Sequence, residues 1–166
     1  MQTCEQVMYL KGKKFFILKM IGTLRFTCVT HLETALNHFL PYDEKNAIII
    51  DMTEVKHIDS TILGSIAKFF LQAPLQQKES SKFPVIVCSN PDIKKIFIKT
   101  GFDAFFTFKD KDERVNKSLK DYSRVEEIAV DEKRLENEVL SAHQTLNELQ
   151  PKDADLQLII KTLKGK

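Results

Sequence analysis

Apolar residues arrive in two rhythms along this chain. Residues 7–10 and 15–20 are short apolar runs separated by Lys11-Gly12-Lys13-Lys14, the pattern of two strands joined by a tight turn, with Gly22 ending the second. Phe26, Val29, Leu32, Ala35, Leu36 and Phe39 then recur at helical spacing and stop before Pro41, which predicts a helix over 27–39. Residues 47–51 read as a buried strand ending in the carboxylate of Asp51. Beyond Val55 and Ile58, the run Asp59-Ser60-Thr61-Ile62-Leu63-Gly64 opens a second helix whose apolar face continues through Ile66, Ala67 and Phe70 and which should end near Pro74. A polar loop over 76–82, a strand over 84–88, and a helix started by Ser89-Asn90-Pro91 and ended by Gly101 follow, then a short strand over 104–108.

Strands alternating with helices of about a dozen residues predict an α/β fold: a mixed, mainly parallel sheet of four to five strands with helices packed on it. In such sheets functional groups gather at the carboxyl ends of the strands, where 51–61 should emerge. A charged amphipathic helix is expected over 111–122. After it, Leu135, Val139, Ala142, Leu146 and Leu149 recur at spacings of four and three, and Leu156, Ile160 and Leu163 resume the register past Pro151. The division is therefore a domain over 1–122 and a C-terminal helical extension over 123–166, broken at Pro151. The extension has two readings: helices folded back on the domain, or an interaction arm that seats a partner or a second copy in a homodimer.

Composition narrows the function. With 43 % hydrophobic and 29 % charged residues and no long apolar run, the chain reads as a soluble globular protein with no span of roughly 20 apolar residues. The first residues carry no signal-peptide pattern, and the three cysteines, Cys4, Cys28 and Cys88, fit reduced thiols, so the expected location is cytoplasmic. The net charge of +2 shows no concentrated basic face, and Lys11, Lys13 and Lys14 fit a solvated turn, which argues against nucleic acid as a partner. His31, His38, His57 and His143 lack metal-ligand spacing, no nucleophile and base pair suggests itself, and glycine-rich phosphate loops are absent. No catalytic role, metal or cofactor is expected.

The chemistry that stands out is two hydroxyls at a helix N-terminus. Unpaired N–H groups and the positive end of the helix dipole favour an added anion there, so Ser60 or Thr61 could carry a phosphate. The plainer reading of Asp59-Ser60-Thr61 is an N-cap, worth about 1 kcal/mol. Both can hold, since one residue suffices to cap.

The order of elements, together with Gly22-Thr23-Leu24, Ile48-Ile49-Ile50-Asp51, the stretch from Val55 to Gly64, and Gly101-Phe102 with Phe105-Phe106, resembles the STAS domain of bacterial anti-sigma factor antagonists. The likeness covers about residues 5 to 120. It implies a partner-switching regulator whose phosphorylated hydroxyl, directly after Asp-Ser, falls on Thr61, with Ser60 shaping the turn. It also implies partner contacts at Asp59, Ser60, Thr61, Ile62, Leu63, Arg25 and His57. The implied partners are an anti-sigma factor or serine/threonine kinase and a PP2C-like phosphatase, with downstream transcription regulation. Two departures bear on partner fit: Ile62 stands where the family has glycine, and Arg25 where it often has an acidic residue. The rival expectation is a non-phosphorylated STAS adaptor within a larger signalling or transport assembly.

Overall fold

The structure, a computed structural model, describes residues 6–38, 46–71, 83–115, 119–125 and 132–149. Strands β1 (Gln6–Lys11) and β2 (Phe15–Leu24) form an antiparallel hairpin whose turn is closed by the Gly12 N–H donating to Phe15 O at 2.8 Å. A short 3-10 turn, Phe26–Cys28, leads into helix α1 (Val29–Asn37). Strand β3 (Ala47–Ile58) feeds helix α2 (Ser60–Phe70), and strand β4 (Val85–Val87) feeds helix α3 (Pro91–Lys99). Strands β5 (Thr107–Lys109) and β6 (Ser123–Arg124) and helix α4 (Glu132–Leu149) complete the described elements.

The sheet order is β5-β4-β3-β2-β1-β6. β2, β3, β4 and β5 run parallel to one another, and β1 pairs antiparallel with both β2 and β6. One face carries the main core, where Leu18, Ile50 and Ile86 meet Leu32 of α1, Ile66 of α2, Phe97 of α3 and Leu146 of α4. The opposite face holds Met8, Ile17, Ile49 and Val87. Alternation along the strands sends adjacent residues to opposite faces, so one sheet serves two cores.

Four expectations are corrected. Gly22 does not end β2; the strand runs on to Leu24, with Gly22 at φ 88 and register shifts against β3 on either side of it. A positive φ without a Cβ lets the strand absorb a bulge and keep pairing. β3 likewise continues seven residues past Asp51 because β2 pairs with it as far as Leu24 against Ile58. Of the helix expected over 111–122 the described residues carry only a 3-10 turn at Leu119–Asp121, and 111–115 are not helical. There the Asp112 carboxylate accepts from the Arg114 backbone N–H at 3.0 Å and from its guanidinium, a local turn that competes with a helix. The guanidinium holds the Asp112 carboxyl down at about 2. The strand after Gly101 is also shorter than 104–108, because a 3-10 turn at Phe102–Ala104 precedes it. Cys28 and Cys88 are buried in the core, while Cys4 and the segment beyond Pro151 lie outside the described residues.

Candidate functional site

The parallel pair β2 and β3 ends side by side at Leu24 and Ile58, and the start of α2 springs from that edge. Asp59 organises it. Its backbone N–H donates to Leu24 O at 3.1 Å, its Oδ1 accepts from the Ile62 N–H at 3.1 Å, and its Oδ2 accepts from the Phe26 N–H at 2.6 Å. One carboxylate thus caps α2 and pins the loop that follows β2. The cap expectation holds for Asp59, so neither Ser60 nor Thr61 is needed as the cap.

Around this start the predicted residues divide sharply. Arg25 and His57 are exposed, and Asp59 and Ser60 are half-buried. Ile62 is 0 % exposed and Leu63 is also buried, so both pack in the core rather than on the surface where a partner contact was expected. The reason is helical phase: Ile62 and Ile66 point at the sheet, a direction the strand before them fixes. Thr61 is only 3 % exposed. Asp51 is not near the site. It lies in mid-strand, 0 % exposed, on the other face of the sheet, where it accepts from Lys19 Nζ at 2.8 Å and from Thr53 N and Oγ1. Burial opposes the Lys19 charge, yet hydrogen bonds to Asp51 and Glu54 outweigh it and hold the ammonium above its usual range.

Two residues were missed by the pattern. Phe26 was read into the apolar stripe of the first helix, but it is 45 % exposed beside Arg25, because its N–H is tied to Asp59 and the local turn is 3-10. His143, 83 positions from Ser60, is 4 % exposed and bonds the Ser60 hydroxyl at 2.7 Å. Its Nδ1 sits 2.8 Å from Val139 O, an atom that only accepts, so Nδ1 carries a proton and the ring is held between Val139 and the Ser60 hydroxyl. No sequence signal could pair residues that far apart.

His143 arrives on α4, which lies antiparallel across α2. Ser60 meets His143, Gly64 meets Ala142 and Lys68 meets Glu138 at 3.4 Å, a stripe of positions four apart on α2. The helices touch backbone to backbone at the centre: a Cβ on Gly64 would stand 2.7 Å from Ala142 Cα and closer still to its carbonyl oxygen. At the far end, α1 joins in. Glu33 accepts from Ser65 Oγ at 3.3 Å and shares a hydrogen bond with Glu138. Burial and that neighbouring carboxylate push Glu33 up to about 7. Burial also opposes ionisation of Glu138, but the bond from Glu33 and the Lys68 ammonium prevail and hold it below its usual range. The two carboxylates therefore hold a proton between them up to about neutrality. A cleft of about 120 Å³ between Glu33, Asn37, Ser65, Lys68 and Phe69 adjoins it.

Among the described residues no group of three His, Cys, Asp or Glu is placed to hold a metal ion, and no helix is long and apolar enough to cross a membrane. The Ser60 and His143 pair has the look of a nucleophile and its base. The adjoining Ile62 N–H, which would have to receive a developing oxyanion, is already taken by the Asp59 carboxylate. A family model described as the STAS domain matches residues 7–115, so α4 lies wholly outside the matched stretch. No curated protein matches the chain.

Proposed function

The chain belongs to the STAS domain family, and from that footing we propose that it is a partner-switching regulator which docks a protein at the start of α2. The carrying observation is the platform that Asp59 builds. The Asp59 carboxylate ties α2 to the loop after β2 and its backbone N–H ties both to Leu24, and nearby in the chain Arg25, Phe26 and His57 stand exposed, an aromatic ring and two basic side chains. A rigid apolar anchor ringed by polar groups is the usual make-up of a protein-binding hot spot.

The partner is of the anti-sigma factor or serine/threonine kinase type, and Thr61 is the phosphate acceptor, reset by a PP2C-like phosphatase. A phosphate there adds about −1.5 to −2 charges beside Asp59. The α2 dipole offsets part of this within the domain, while a docked partner has no such offset and loses several kcal/mol of affinity. Release then needs no refolding. Expression in the cytoplasm of a bacterium is part of this reading.

One observation favours a second reading. Thr61 is 3 % exposed and the Ser60 hydroxyl is spent on His143, which suits a STAS adaptor that is never phosphorylated. The two part company in phosphopeptide mass spectrometry after incubation with cell extract: phosphate at Thr61 supports the switch, and none at Thr61 or Ser60 supports the adaptor. For the switch, Thr61→Glu should lose a partner that Thr61→Ala retains. Equal capture by both refutes it.

A further inference from the structure

We propose that α4 is a self-inhibiting cover: it occupies the outer face of α2 in place of a partner, and it must lift before Thr61 can be modified or that face can be bound. The proposal deepens the switch reading and rests on it for the role of Thr61; the face it concerns is the outer side of α2, next in the chain to the exposed platform. It begins from an unusual burial. Every residue of α2 except Ser60 and Lys68 is buried, although a helix on the face of a sheet normally keeps its outer side in water. The outer side is closed here by α4, which comes from beyond the matched domain.

The contact is built for a helix. Gly64 leaves a notch that admits the Ala142 backbone, as small residues do where two helices approach closely. Polar groups set the register on either side. His143 hydrogen-bonds Ser60, so the hydroxyl next to the acceptor is held by the cover itself. Lys68 pairs with Glu138, and Glu138 with Glu33 of α1, which fixes the other end. These polar ties are half-exposed or rely on a single hydrogen bond each. Such contacts sit at the low-stability end of a fold and open before its core. The apolar hold rests on Ala142 and Leu146, which are buried, with Leu135, Leu140 and Leu149 packed part-buried against the core. A cover so attached fixes a closed state and remains displaceable by a partner helix offering a small residue to Gly64 and an acid to Lys68.

The test is hydrogen exchange on the full-length chain, read at the amides of 61–70 and compared with β2 and β3. Ala142→Glu forces a carboxylate against the Gly64 notch and should raise exchange along α2 by about ten-fold or more while the strands stay protected. In the same variant, phosphorylation of Thr61 by cell extract should rise several-fold. Should Ala142→Glu lose protection everywhere, Lys68→Glu takes its place. It sets a third carboxylate beside Glu33 and Glu138 and should loosen α2 alone, and adding Glu138→Lys should return exchange to within about two-fold of wild type. Exchange unchanged in every variant overturns the cover. Faster exchange at α2 with Thr61 still unmodified keeps the cover and defeats the phosphate switch, so the two failures are told apart.

Discussion

Gly64→Ala carries a sign that depends on whether α4 is seated. In an isolated helix the change is favourable by about 1 kcal/mol, since glycine is the poorer helix former. In the closed chain the new Cβ meets Ala142 Cα at 2.7 Å, where ordinary contact begins at 3.4 Å, and it meets the carbonyl carbon and oxygen as well. These are backbone atoms and cannot rotate aside. Helix α4 must shift by close to 1 Å, and forcing an extra carbon into a packed interface costs about 1–3 kcal/mol. A shift of that size also slackens the burial of Leu146 and the hydrogen bond between Ser60 and His143, the first worth up to about 2 kcal/mol and the second about 1. The closed chain should therefore lose about 1–3 kcal/mol net.

The decisive assay is a double-mutant cycle by urea unfolding. In wild type, Gly64→Ala lowers the midpoint. In the Ala142→Glu background, where α4 is already displaced, the same change should raise it by the helix-propensity term of about 1 kcal/mol. The coupling between the sites is then about 2–4 kcal/mol. Ala142→Gly should give no relief, because the clash is with main-chain atoms rather than the Ala142 methyl. Additive effects, or a stabilising Gly64→Ala in the wild type, would refute the close approach of the two helices.

Acid–base chemistry offers another handle. Glu33 is held at about 7, above the ordinary 4.5, so its protonated form favours closure. That contribution is complete below about 4.5 and is lost as pH rises through 7, and because Glu33 is partly exposed the loss is screened to about 1 kcal/mol. Exchange of the α2 amides, corrected for intrinsic rate, should speed up across neutrality, and Glu33→Gln should flatten the trend; a flat wild-type profile would count against it. On the other sheet face, Lys19→Met leaves the Asp51 carboxylate buried without its ammonium and should cost about 3–5 kcal/mol in urea unfolding. Adding Asp51→Leu should recover most of that, and a small loss in the single variant would mean water reaches the pair. Asp59→Ala removes both the α2 cap and the tie to Phe26, and a melting shift worth about 1–2 kcal/mol is expected, with none arguing that the platform is held by packing alone.

Much of the domain was legible because its signals are local. Asn90 capping Asp92 with Pro91 in the first turn, Gly101 in the left-handed conformation and the Lys11 to Lys14 turn each declare an element within a few residues. The cap at Asp59 was equally readable, and so was the alternation that sends Ile48 and Ile50 to the helices and Ile49 to the other side. Strand lengths were not, since β2 and β3 continue only by pairing with each other across a bulge at Gly22. The sixth strand was hidden for a similar reason: Ser123–Arg124 has no apolar pattern and exists by bonding to Met8 and Tyr9.

The candidate site was half legible, and the missing half concerns what lies on top of it. Spacing reveals that Leu135, Val139, Ala142, Leu146 and Leu149 share a stripe, but an apolar stripe does not name its neighbour. That stripe lies against the domain, with Ala142 opposite Gly64 of α2 and Leu146 buried in the core. A trace of the answer does stand in the sequence. Ser60, Gly64 and Lys68 form a polar, small-residue stripe on the outer side of a helix otherwise rich in large apolar residues, and a glycine at its centre costs about 1 kcal/mol unless a backbone comes close. That unexplained glycine is the residue whose replacement most directly asks whether the outer face of α2 is born closed.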